Sequence, residues 1–206
     1  MVDPRSLSTT GERPKADSPL RQELKRGTAD LHRRLEMAVG LLESELSIER
    51  YRRVLELFFG FYAPIEAGLA RAASGGPALG LPLRARTALI ESDLLWLGLS
   101  RGEIADLPQC AGLPPLSCPE ELAGCLYVLE GACLGGQVIA PVLRERLGVA
   151  KDSGAAFFTG DAEGTRARWG LFVAWLEALA RAGTATGPIV ASARATFLAF
   201  ARWVER

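Results

Sequence analysis

The chain of 206 residues holds one histidine, His32, and far from it in sequence three glycines, Gly131, Gly135 and Gly136, inside a run that otherwise reads as helix. Imidazole binds metals through either ring nitrogen. Each glycine in a helix interior is disfavoured by about 1 kcal/mol against alanine, so three together imply that something must approach the backbone. Gly131 and Gly135 are four residues apart and face the same way; without a Cβ they let a flat ligand lie against the helix. His32 falls one turn after Thr28 and two turns after Leu24, at the border of its helix's apolar face. A lone histidine there serves either as a hydrogen-bonded core residue or as a ligand. The glycines likewise serve either as a ligand wall or as small residues for close helix packing.

Other chemistries fit less well. Gly131-x-x-x-Gly135 matches a membrane-helix dimer motif, but Glu130, Gln137 and Arg144 interrupt the apolar stretch that motif needs. A phosphate-cradling loop would carry Gly-Lys-Ser/Thr, and here Gly136 is followed by Gln137-Val138. Cys110, Cys118, Cys125 and Cys133 form no C-x-x-C pair, and one histidine leaves too few partners for a usual zinc set, so they read as small buried thiols. With 24 basic and 24 acidic residues the chain has no excess for nucleic acid. It has neither a run of eighteen apolar residues nor a signal pattern, which predicts a soluble cytoplasmic protein with no membrane span.

The elements that position these residues read as helices throughout, with no period-two alternation. Residues 1–17 are polar and carry Pro4, Gly11 and Pro14, the composition of a disordered arm; one domain is expected over 18–206. Ser18-Pro19 starts a helix of Leu20, Leu24, Leu31, Leu35 and Val39 that Gly40 ends. Ser47 caps a second, with Tyr51, Val54, Phe58, Tyr62, Ile65 and Leu69 on one face and Pro64 expected to bend it. Residues 72–82 read as a loop, 83–97 as a third helix, and 100–118 as a longer break. Ser117-Cys-Pro-Glu120 has the form of a capping box opening the glycine helix, which should kink near Pro141 and stop at Gly148. Residues 149–160 read as irregular. Asp161 is expected to cap a helix of Trp169, Phe172 and Leu176, and Pro188 to begin the last, with Phe197, Phe200 and Trp203 as a core stripe.

Imidazole is a usual axial ligand of haem iron, and a planar macrocycle needs a second wall that lets it lie close. Lys25-Arg-Gly-Thr28-Ala-Asp-Leu-His32-Arg-Arg-Leu-Glu36 resembles the proximal-helix pattern of haem oxygenases, and Tyr127-Val-Leu-Glu-Gly131-Ala-Cys-Leu-Gly135-Gly136-Gln137 their distal helix. The likeness runs from about Leu20 to Val204, includes Asp93-Leu-Leu-Trp-Leu-Gly98, and is nearest to the bacterial biliverdin-producing type associated with bacteriophytochromes.

The resemblance implies an all-α bundle with haem sandwiched between a proximal and a kinked distal helix. His32 would be the proximal iron ligand with Glu36 behind it, while Lys25, Arg21, Thr28 and, more loosely aligned, Arg166 and Arg168 would line the cofactor. Gly131, Gly135 and Gly136 would steer bound oxygen. Haem would be both substrate and cofactor, consumed with dioxygen and an external reductant (ferredoxin, flavodoxin or a reductase) to give biliverdin, carbon monoxide and ferrous iron. A bacteriophytochrome would receive the biliverdin. One departure stands out: many members carry Asp after the first distal glycine, and this chain has Ala132. Two other classes share parts of the pattern. One is a haem carrier or sensor; the other is a TenA-like thiamin-degrading enzyme, which would need Cys125 or Cys133 as nucleophile.

Overall fold

The computed structural model describes residues 18–75, 83–160 and 162–206. The expected arm at 1–17, most of the loop before residue 83 and the cap at Asp161 lie outside the described residues. Those described form eight helices: α1 (Pro19–Val39), α2 (Ile48–Gly75), α3 (Thr87–Trp96), α4 (Arg101–Ala105), α5 (Pro119–Leu147), α6 (Ala156–Thr159), α7 (Ala162–Arg181) and α8 (Thr186–Val204). The only β pairing among them is two isolated bridges at Ala150, so the all-α expectation holds.

Local chemistry sets the helix ends. Ser18 accepts from the Arg21 N–H at 3.2 Å with Pro19 in the first turn, and Gly40 closes α1 at φ 63°. Ser47 accepts from the Arg50 N–H at 3.2 Å ahead of α2, which continues through Pro64. Helix α3 has no side-chain cap of its own. Glu66 of α2 supplies one, its carboxylate accepting from the N–H groups of Arg86 (2.7 Å) and Thr87 (3.2 Å), so α2 and α3 are joined where α3 begins. The expected box at Ser117 and Glu120 does not form. The N-cap of α5 is Cys118, with Pro119 next, and it is Glu121 that reaches back to the Ser117 N–H at 2.6 Å. A true capping box stands at Ser100 and Glu103, starting α4 inside the stretch read as a break.

Helix α5 lies at the centre, with α6, α7 and α8 packed on it. It is long and apolar enough to cross a membrane (mean hydropathy 1.5), yet Leu122 to Leu126 are buried by its neighbours. Helix α8 also packs on α1. Two glycines allow these approaches: a Cβ on Gly27 would come within 2.7 Å of Val190, and one on Gly124 within 2.5 Å of the Ala193 nitrogen. The core beside them is aromatic. Phe61 and Phe200 stack at 4.1 Å, and Phe58 and Tyr62 meet Phe157 and Phe200. Burying each such ring contributes about 1.5–3 kcal/mol. The stripe Phe197, Phe200 and Trp203 is buried as expected.

Candidate active site

His32 projects from α1 with a side chain 56% exposed. Its Nδ1 faces Glu36 Oε2 at 3.3 Å, one turn on, and the edge of Phe197 from α8 meets the ring at 5.6 Å. A carboxylate on one ring nitrogen selects the tautomer with a lone pair on the other. Nε2 of His32 is the ring nitrogen outside this contact. A satisfied core histidine would be buried; this one is not.

The upper part of α1 meets α5 and α7 through polar and aromatic contacts. Thr28, buried, donates to the Leu24 carbonyl at 2.8 Å and lies beside the Tyr127 phenol. Burial raises that phenol above its ordinary range, against the pull of Thr28 and Arg21. Tyr127 packs on Trp169 at 6.0 Å, and the Arg21 guanidinium lies 5.9 Å from the Trp169 ring. Lys25, exposed, follows Arg21 by one turn. Tyr127, Trp169 and Phe197 were not among the expected site residues. Tyr127 had a signal in sequence, four residues before Gly131; the other two read only as core.

The three glycines separate. Nothing stands within 4 Å of a Cβ on Gly135, and only Trp169, at 4.0 Å, meets one on Gly131. On Gly136 the Cβ would lie 2.5 Å from the Phe158 carbonyl oxygen. Gly131 and Gly135 thus face open space, while Gly136 lets α6 pack against the back of α5. The cationic set also divides. Arg166 is exposed. Arg168 donates to Glu130 from Nε and Nη2 in a largely buried pair, so its structural partner is a carboxylate of this chain.

A cavity of about 110 Å³ lies behind α5, lined by Tyr62, Glu66, Arg86, Leu129, Glu130 and Cys133. Leu129, Glu130 and Cys133 share one face of the helix. Gly131 and Gly135 are each two residues from Cys133, roughly 200° round. Small-molecule sites run to about 300–1,000 Å³, so this space does not suit a macrocycle. Its lining is mostly apolar, and within it the buried Tyr62 Oη and Arg86 Nε have no partner.

No cluster of three metal-ligating side chains exists among the described residues. Neither Cys125 nor Cys133 is an activated thiol. Burial pushes Cys125 up to about 12 and raises Cys133 as well, opposite to what a cysteine nucleophile requires. That weighs against the cysteine nucleophile a TenA-like enzyme would need. An exposed imidazole beside Glu36 on α1 and, on α5, a face bare of side chains at Gly131 and Gly135 are the two features that stand out in this all-α chain.

The family match agrees. Residues 18–206 match the heme oxygenase family model, and a Heme oxygenase from Xanthomonas campestris pv. campestris (strain 8004) is 31% identical over 166 residues, covering 80% of this chain and 94% of the relative. The chain belongs to the haem oxygenase family.

Proposed function

We propose that this chain is a biliverdin-forming haem oxygenase in which His32 ligates the iron through Nε2 and the Gly131–Gly135 face of α5 is the distal wall. Bound haem would supply the iron that activates dioxygen and the meso carbon that is oxidised. The observation that carries the reading is the exposed imidazole held by Glu36 at 3.3 Å.

The chain's own residues have separable tasks. Glu36 keeps the Nδ1 proton of His32 and orients the ring. Lys25 and Arg21 hold the propionates by charge-assisted bonds, with Thr28 and Tyr127 beside them and Arg166 available at the surface. Gly131 and Gly135 leave room for bound oxygen to bend toward the ring edge. Ala132 offers no proton, so protons reach the distal side through water on the Gly131 and Gly135 backbone. Electrons come from a ferredoxin, a flavodoxin or a reductase, in the cytoplasm, and a bacteriophytochrome takes up the biliverdin.

The test is to load the protein with hemin, add ascorbate or ferredoxin with its reductase in air, and follow the spectrum. The Soret band should give way to biliverdin absorption. A persistent Soret band under reducing, aerobic conditions would instead identify a haem carrier or sensor.

A further inference from the structure

The turn behind the distal glycines is held from a distance. Helix α6 is a single turn, and its N-cap, Ala155, makes no side-chain capping bond. Asp93 of α3, 1% exposed, does that work: its Oδ1 accepts from the Ala156 N–H at 2.7 Å and its Oδ2 from the Phe157 N–H at 2.9 Å. Arg86, at the start of α3, donates to the Phe157 carbonyl and to Cys133 Sγ on α5, and its guanidinium carbon lies 4.6 Å from the Phe157 ring. The next carbonyl, that of Phe158, rests on Gly136 closer than any side chain would permit. A close-packed contact of this kind transmits displacement instead of absorbing it.

We propose that Asp93 and Arg86 are positioning residues for haem oxidation: they hold the α6 turn as a brace behind α5, and the brace fixes where the Gly131–Gly135 face stands. The inference rests on the reading of that face as the distal wall. Gly136 meets the brace while Gly131 and Gly135 look the other way, so movement of α6 moves the bare face directly. His32 is on α1, which contacts neither Asp93 nor α6 in any of these bonds. Loosening the brace should therefore disturb one wall only, changing where and how fast the macrocycle is oxidised without weakening its ligation.

Asp93→Asn keeps the side chain's shape but turns an amide N–H₂ toward one of the two backbone donors. Losing a bond to a charged group should speed hydrogen exchange at Ala156 and Phe157 in the haem-free protein by about ten-fold or more. Exchange at residues 133–138 should rise with it, while α1 is unchanged. Exchange at 133–138 equal to wild type would overturn the brace. In the hemin-loaded variant, haem affinity and the Soret band should stay near wild type while the ratio of biliverdin isomers broadens. An unchanged ratio alongside altered exchange would overturn the positioning role and leave Asp93 purely structural. Arg86→Lys, which keeps the cation but loses the planar fork, should give the same pair of changes and serves if Asp93→Asn folds poorly. Should wild type form no biliverdin, the reading of the distal wall fails, and the exchange data still judge the brace.

Discussion

Arg168 meets Glu130 with two donors on one oxygen: Nε at 2.9 Å and Nη2 at 2.7 Å both end on Oε1. The side chains are 13% and 6% exposed, and the pair ties α7 to α5 one residue before Gly131. Removing one partner of a buried pair strands the other charge at a cost of about 3–5 kcal/mol, whereas apolar replacement of both is often neutral. Arg168→Ala should thus lower the urea unfolding free energy by about 3 kcal/mol, and Arg168→Met with Glu130→Leu should recover most of it. A loss of haem affinity in Glu130→Leu/Arg168→Met at wild-type stability would instead return Arg168 to the propionate set.

Adjacent glycines should respond with opposite signs. Gly135→Ala places a methyl in open space and gains helix propensity, raising the stability of the haem-free protein by about 1 kcal/mol while obstructing haem. Gly136→Ala drives a methyl into the Phe158 carbonyl and should cost about 1–3 kcal/mol. Thermal melts of the two variants, followed by hemin titration, check both halves.

At His32 the expected loss is spectroscopic. His32→Ala should lack the native Soret spectrum, and added imidazole should restore it. Glu36→Gln should keep the haem but bind it about ten-fold more weakly, the usual scale for removing a ligand's carboxylate partner. Native ligation in His32→Ala without imidazole would defeat the assignment.

Asp93 gives a pH signature. Burial pushes its carboxyl up from 3.8 to about 6, against the opposing pull of the Phe157 and Ala156 N–H groups and of Arg86; the buried Tyr51 phenol is the other titratable group that senses it. A carboxyl whose folded value lies above its unfolded one favours the folded state most when protonated. Wild-type stability relative to Asp93→Asn should therefore fall as pH rises from about 4 to about 6, by about 1.4 kcal/mol for each pH unit crossed, and stay level above. A flat difference across that window would show that Asp93 does not titrate as described. The ionised clamp is thus a stability cost carried at neutral pH, as expected of a group kept for position.

Much of the helical frame was legible because its signals are local. Ser18 and Gly40, Ser47, Gly148 and the three-four spacing of α2 each act within a turn or two. What escaped acts across the chain. Glu66 caps α3 from twenty residues away, and Asp93 holds α6 from sixty-three, with no trace in either local sequence. At the site, the pairing of His32 with Glu36 is an i, i+4 relation and readable, whereas the division of Gly135 from Gly136 depends on where α6 packs. The box at Ser117 and Glu120 failed because Cys118 takes the cap and Pro119 opens the helix, leaving Glu120 one position short of N3.

Both close approaches that set the spacing of α1 and α5, at Gly27 and at Gly124, are made to α8, which follows them in the chain. During synthesis, then, these two contacts form only after residues 186–204 have left the ribosome. Until that moment α5, an apolar helix long enough for a bilayer, has α6 and α7 against it but not α8. A chain cut short before Thr186 should expose the faces of α1 and α5 that α8 covers.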